Sequence, residues 1–416
     1  MPSTIDPRRT IAELKELRQL TGDANGAQRV AFTPAWVQTR DWLKAKLSPL
    51  PVETHRDAAG NLWSTLPGER KATLIIGGHM DSVPNGGWLD GCLNVLAGLE
   101  ILRRIAAEYG GRPPITVRLV DWADEEGARF GKSLFGSSAC SGNLDLEEAA
   151  RLRDAQGVPL PDALLQVGLD LDQVLKAGSE RDQACAYLEL HIEQGPVLLD
   201  LDLPLGTVLG TFGVERHAIL FRGQAAHSGS TPMNRRRDAF LAAAKMSPEI
   251  YRIAERNGGV CTIGSCTTKP GIVTSVVEEC RLTLDQRHLD GAALARMLAE
   301  AKAASERFAG EGKVGVEWER LWRIDPVHFH PELLPLCDQA IAGVGAPVHR
   351  LPSGPLHDAA EMGRTGLPTV MMFVQSLHGI SHNKIEDTKE EHLELAVRAF
   401  DALATKAMNW IAAKNP

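Results

Sequence analysis

The sequence predicts an α/β protein with a mostly parallel central sheet, into which an α+β segment is inserted. Two observations predict the sheet. Thr73-Leu-Ile-Ile76, ending on Gly77-Gly78, is a short, wholly apolar run bounded by glycine, as suits a strand covered on both faces. Such runs alternate with segments whose apolar residues recur at helical spacing, the strand-helix-strand order of a parallel unit. A third observation predicts the insert. From Leu205 the chain changes to alternating, glycine-punctuated sequence, and a fully apolar run returns only at Thr369-Val-Met-Met-Phe-Val374.

Taken in order, residues 10–47 read as helices through Ile11, Leu14, Leu17 and Leu20 and then Trp36, Trp42, Leu43 and Leu47, separated at Gly22 to Gly26. The strand at 73–76 leads to His79. A helix follows on Leu93, Leu96, Leu99, Leu102 and Ile105, and a second strand, Ile115–Val120, runs into Asp121-Trp-Ala-Asp124-Glu125-Glu126. Residues 143–183 are acidic and leucine-rich and suggest short helices around Pro159 and Pro161, before Tyr187–Ile192 resumes a strand pattern. In the insert, Ala218–Arg222, Val260–Ser265 and Val276–Leu289 read as strands, and Asp238–Asn257 and Ala292–Phe308 as helices. That mixture fits helices on one face of an antiparallel sheet. Lys389–Lys414 closes the chain as a helix with Leu393, Val397, Phe400 and Leu403 on one face. The domain expectation is therefore residues 1–209 and 328–416 for the α/β part and 210–327 for the insert.

Composition narrows the function classes. Of 416 residues, 45 are Lys or Arg and 53 Asp or Glu, a formal net charge of −8, which gives a polyanionic partner no global support. Aromatics at 5% leave few platforms for stacking bases, so nucleic acid is not expected. Seven cysteines, an odd number without a C-x-x-C, disfavour both a disulfide framework and a zinc knuckle. No run approaches the ~20 apolar residues of a membrane span, and Met1–Leu20 is charged from the start without an apolar leader, so a reduced, cytoplasmic protein with no membrane partner is expected.

The informative residues lie at the expected strand ends. His79-Met-Asp81 follows the first strand, Asp90-Gly91 a glycine turn, and Glu125-Glu126 the second strand, with His191 and His382 further on. Open α/β sheets bind ligands outside the carboxyl ends of their strands. Imidazole and carboxylate together suit zinc, manganese, cobalt or nickel, and availability decides among them.

Gly77-Gly-His-Met-Asp-Ser-Val-Pro-Asn-Gly-Gly-Trp-Leu-Asp90-Gly resembles the first metal motif of the M20 metallopeptidase/amidase family. Asp124-Glu-Glu-Gly-Ala-Arg-Phe130, Glu189-Leu-His-Ile-Glu-Gln-Gly-Pro196 and His227-Ser-Gly-Ser-Thr-Pro-Met233 resemble its N-carbamoyl-L-amino-acid amidohydrolase branch, which also holds allantoate amidohydrolases and β-ureidopropionases; Gly379-Ile-Ser-His382-Asn matches the closing motif. The resemblance implies a metal site at the strand ends of a catalytic α/β domain and an inserted dimerisation or lid domain that hinges near 209 and 327. It implies two divalent cations per subunit, bridged by Asp90 and held by His79, Glu126, His191 and His382. Asp81 would fix the tautomer of His79, and Glu125 would be the general base. The substrate is a small molecule with a carboxylate, met by Arg287, Gln194, Thr274 and Leu356. In a homodimer, His227 would stabilise the oxyanion, with His227 and Arg287 contributed across the interface.

Some positions depart from that family. Thr274-Ser-Val-Val-Glu278 stands where relatives read Asn-x-x-Pro-Gly, Leu356 stands for a glycine in Ser353-Gly-Pro-Leu-His357, and Asn94 stands for another. The metal positions persist while substrate positions change. The expectation is a hydrolase of linear C–N bonds that converts an N-carbamoyl-L-amino acid to amino acid, ammonia and carbon dioxide. Its alternatives are allantoate amidohydrolase, β-ureidopropionase or a related M20 hydrolase of another amide or amine. A non-catalytic binding protein is the reading from a different class, and it would have no use for Glu125.

Overall fold

The computed structural model describes residues 4–414, which divide into two compact units. One joins the chain up to Gly210 to the chain from Phe329 onward; the other is Thr211–His328.

In the first unit the central sheet runs, neighbour to neighbour, through Leu205–Thr211, Thr369–Val374, Ala184–Ile192, Arg70–His79, Ile115–Trp122, Leu62–Leu66 and Glu53–Arg56. The middle four of these strands are parallel and the flanking ones antiparallel, so the fold is α/β with a mostly parallel sheet. All six residues of Thr369–Val374 are buried, which requires cover on both faces. Helices Cys92–Glu108 and Glu390–Lys414 pack on the strands, with Pro7–Thr21 and Leu333–Gly343 against them. Pro7–Thr21 starts where its sequence allows: Asp6 caps the amide of Arg9, and proline fills the first helical position, where no N–H is needed. Thr33 and Pro34 start helix Pro34–Leu47 in the same way.

Parallel pairing fixes what meets at one edge. Cα register sets His79 beside Trp122 and Phe373 beside His191, so the loops after these strands emerge together. Below them lies a buried ion pair. Arg40 donates through Nε to the Asp121 carboxylate at 2.7 Å and through Nη2 to the carbonyls of Asp121 and Trp122 at 3.0 and 3.3 Å. Asp121 in turn accepts the main-chain N–H of Met80 at 2.8 Å. One side chain thus ties the Pro34–Leu47 helix to the ends of two strands.

The second unit, by itself, is an antiparallel sheet in the order Val260–Lys269, Glu279–His288, Gly213–Arg222 and Gly315–Ile324. Helices Ala239–Asn257 and Gly291–Gly312 bury Met246, Ile250, Met297 and Ala301 against Ile219, Phe221, Leu282 and Leu284. This is the α+β arrangement, though details differ from the sequence reading. The stretch expected as one strand over Val276–Leu289 is two. Ser275–Val276 pairs with Ala226–His227, and Glu279–His288 joins the main sheet. Between them Val277 and Glu278 spend their carbonyls on the amides of Ala239 and Gly223. The strand expected over Val260–Ser265 continues to Lys269 past a register shift between Ile263 and Ser265, where Gly264 lets the pairing resume. Gly315–Ile324 and Glu53–Arg56 carry no apolar run to reveal them: the latter is exposed throughout.

Removing one partner of a fully buried ion pair leaves an uncompensated charge. Arg40→Ala should therefore lower stability by about 3–5 kcal/mol. Urea unfolding followed by tryptophan fluorescence checks this, and an unchanged midpoint would contradict it.

Candidate metal centre

Five donor groups expected from sequence converge in the first unit. His79, Asp90 and His191 present donor atoms within 4.8 Å of one another, and so do Asp90, Glu126 and His382. Asp90 belongs to both triads. Its Oδ1 lies 3.1 Å from His191 Nε2 and 3.7 Å from His79 Nε2, while its Oδ2 lies 3.4 Å from His382 Nε2. His382 Nε2 is also 3.2 Å from the Glu126 carboxylate.

Each side chain is aimed by local structure. His191 Nδ1 hydrogen-bonds the carbonyl of Ile192 at 2.8 Å, which fixes the ring so that Nε2 faces Asp90 and is the atom that would ligate once it carries no proton. His79 Nδ1 faces the Asp81 carbonyl at 3.2 Å and the Asp81 carboxylate at 3.5 Å. That carboxylate also accepts the main-chain N–H groups of Glu125 and Glu126, each at 3.2 Å, so Asp81 sets the acid pair as well as the histidine. The turn that sends Glu125 and Glu126 in different directions is made by Asp124, held at φ 54°. Gln194 and His382 also have positive φ, 59° and 54°. Left-handed backbone at non-glycine residues persists where surrounding contacts enforce it, and functional sites are where it gathers. Gly91, at φ 65°, follows Asp90: a Cβ there would lie 2.4 Å from the His79 carbonyl, so the loop can close on the strand end only with glycine.

The electrostatics call for positive charge. Burial by itself would lower the imidazole of His79, but the charges of Glu125, Asp81 and Asp90 outweigh it and hold this group well above its ordinary range. Asp90 is held well below the usual carboxylate range: burial opposes this, and the hydrogen bonds from His191 and His382 overcome it. His382, bonded to Asp90 and Glu126, is pushed up to about 11. Glu125 is raised well above the usual range, mainly by burial, with His79 at 3.6 Å pulling the other way. Imidazoles raised by so many carboxylates mark a place where a divalent cation would neutralise the same charge. The fit to a metal is further marked by buried polar atoms that have no hydrogen-bond partner: His79 Nε2, Glu126 Oε1 and Gln194 Oε1.

The other expected residues divide between the units. Gln194, expected at the substrate, donates through Nε2 to Asp90 Oδ2 at 2.9 Å. Leu356 is half-buried beside His357 in the first unit. His227 and Thr274 lie together in the second unit, where the Ser228 N–H donates to the Thr274 carbonyl at 2.9 Å. His227 is exposed, and its Nδ1 accepts from the N–H groups of Gly229 and Ser230 at 3.0 and 3.2 Å, so the neutral ring presents Nε2–H as a donor. Arg287 lies on the four-stranded sheet, with Nε 2.8 Å from Asp285.

Sequence reading missed several participants. Glu386 and Ser381 close on the Asp90 loop, and Glu386 is signalled only by following His382 at four residues. His357, whose loop the resemblance sets near the substrate, was not expected among the donors: with Glu189 and His191 it forms a third buried group, 4.3 Å from His191, ring centroid to ring centroid. Asn94, a departure in the sequence, accepts the Leu190 N–H at 3.0 Å and so buttresses the strand next to His191.

Residues 75–406 match the profile of Peptidase family M20/M25/M40. The chain belongs to this family. Over 372 residues this M20 protein is 35% identical to an N-carbamoyl-L-amino acid amidohydrolase of Geobacillus stearothermophilus, covering 88% of this chain and 90% of that one. An allantoate amidohydrolase of Escherichia coli is 30% identical over 391 residues, 93% and 94% of the two chains. A crystal structure of a hydantoinase/carbamoylase family amidase from Burkholderia multivorans superposes with a TM-score of 0.86 at 30% identity, covering 98% and 99%. With the donor clusters described above, this M20 protein is a metal-dependent amidohydrolase acting on C–N bonds other than peptide bonds. Among the described residues no helix is long and apolar enough to cross a membrane.

Ligation needs the neutral imidazole, and the surrounding carboxylates push His79, His191 and His382 upward, so metal binding competes with protonation of these rings. Zinc titrated into metal-free protein near neutral pH should release protons, and affinity should fall as pH falls. Calorimetry in buffers of different ionisation enthalpy measures this; heats independent of the buffer would contradict it.

Proposed function

We propose that this M20 amidohydrolase holds two divalent cations per subunit and removes the carbamoyl group of an N-carbamoyl-L-amino acid, giving the amino acid, ammonia and carbon dioxide. The observation that carries the proposal is the pair of donor triads sharing Asp90, with the Glu125 carboxylate 3.6 Å from one of the donor histidines, His79. His79, Asp90 and His191 would hold one cation, and Asp90, Glu126 and His382 the other. Zinc, manganese, cobalt and nickel all suit these donors. Bound there, divalent cations polarise the substrate carbonyl and acidify water.

The chain's own residues supply the remaining steps. Glu125, raised by burial, takes the proton of the attacking water and returns it to the leaving nitrogen. Asp81 keeps that carboxylate in place through the Glu125 amide and steadies the His79 ring. In a homodimer, the partner subunit's His227 donates Nε2–H to the oxygen that gains charge, and Arg287 meets the substrate carboxylate with its planar fork. Exposed apolar residues beside these positions support self-association: Val273, 98% exposed, adjoins Thr274, and Met233, 73% exposed, closes the His227 motif. Gln194, whose Nε2 donates to Asp90, would offer its amide to the ureido group.

The relatives named for carbamoyl amino acids and for allantoate share a ureido substrate, which supports that class. Thr274 and Leu356 favour a second reading within it. Leucine in place of glycine narrows the approach to the site, and threonine offers one hydroxyl where asparagine offers an amide, so allantoate, N-carbamoyl-β-alanine or another amide remains the alternative substrate. Ammonia release from a panel of N-carbamoyl amino acids, allantoate and N-acyl amino acids decides between them. No turnover of any carbamoyl compound by the metal-loaded enzyme would refute the proposal.

Glu125→Gln should keep both metals and lower kcat about 10²- to 10⁴-fold, read from steady-state kinetics with metal analysis of the same sample. His227→Ala should lower kcat about 10²- to 10³-fold without loss of metal. Sedimentation should show a dimer; a fully active monomer would remove the partner's His227 from the mechanism.

A further inference from the structure

We infer that Glu386 is a positioning residue for the metal centre, a carboxylate bracket that locks the Asp90 loop to the His382 loop. The inference rests on the reading of Asp90 and His382 as metal ligands. Glu386 is 1% exposed, and both its oxygens are committed. Oε1 accepts the main-chain N–H groups of Leu89 and Asp90, each at 3.1 Å. Oε2 lies 2.7 Å from the Ser381 hydroxyl, which is itself 3.0 Å from Asp90 Oδ2. One side chain therefore grips the backbone that presents Asp90 and, through the residue before His382, the loop that brings the last donor. The two loops lie nearly three hundred residues apart in the chain.

The loops are shaped around this carboxylate. A Cβ on Gly87 would lie 2.0 Å from both Cδ and Oε1 of Glu386, so glycine is needed for the loop to approach it. His382 needs an external hold, because its side chain is half exposed and its backbone is left-handed, at φ 54°. Groups that orient a metal ligand typically alter affinity about 10- to 100-fold when removed, without touching the ion.

Cobalt(II) serves as the probe, with its d–d absorption reporting donor geometry and transfer to EDTA reporting release. E386A should release cobalt at least about tenfold faster than wild type and alter the spectrum. E386Q should recover most of the retention, because its amide spans the same groups, with an oxygen for the two N–H groups and an NH₂ toward Ser381. S381A, at a part-exposed position that tolerates truncation, should give a smaller effect in the same direction and keep the test open if E386A does not fold. The E386A/S381A double variant should be no worse than E386A alone, since both act through one bracket. Wild-type retention in E386A or S381A, full additivity, or E386Q no better than E386A would overturn the inference. D90N separates the two levels of argument. If D90N keeps cobalt, the ligand reading fails; if D90N loses cobalt while E386A keeps it, only the bracket fails.

Discussion

The structure depends on a concentration of buried negative charge at one edge of a parallel sheet. Buried Asp81, Asp90 and Glu125 come together with the Glu126 carboxyl, whose side chain is 5% exposed, and carboxylates in such a place repel strongly unless something compensates. Compensation comes from three imidazoles, from main-chain N–H groups that Asp81 and Glu386 accept, and, in the loaded enzyme, from the metal. Around that requirement the left-handed residues, the glycine at 91 and the paired loops make sense as one arrangement. Each brings a donor to a point that the strands alone would leave apart.

Support for the charge cluster comes from layers below it. Asp121 carries no donor role, yet it joins Arg40 to the amide of Met80 and thereby fixes the strand end from which His79 projects. Asn94 does the same for the strand of His191 from the side of a helix. These contacts show how a chemical site is distributed over the scaffold. The ligands are few, but the groups that aim them extend to the second turn of surrounding structure.

The second unit has a different logic. Its helices and sheet form a core of their own, and of its expected site residues His227 and Thr274 sit on straps while Arg287 lies on the main sheet. His227 stands on a two-residue strand whose partner, Ser275–Val276, is split off from the long strand that follows. That split brings His227 and Thr274 together, which linear spacing of nearly fifty residues conceals. Strong amphipathic helices such as Ala239–Asn257 and apolar strands such as Thr369–Val374 were legible from pattern, because burial of one face or two leaves a period in the sequence. Glu53–Arg56 was not, because a strand exposed throughout leaves none, and in Gly315–Ile324 the alternation of Val316 and Trp318 with Glu317 and Glu319 is short and breaks at the register shift between Arg320 and Trp322.

The candidate donor set was legible in sequence: His79, Asp90, Glu126, His191 and His382 are read from motif and strand-end position, and the structure brings them together. The fold class followed from the same alternation of apolar runs and helical faces. Only the tertiary structure decided how the donors divide, with Asp90 common to His79 and His191 on one side and to Glu126 and His382 on the other. It alone showed Glu386 and Ser381 closing on Asp90, and Asp81 holding the acid pair through its amides. The physical reason is range. Residue chemistry and periodicity are written locally, whereas a hydrogen bond between loops some three hundred residues apart exists only once the sheet has brought them face to face.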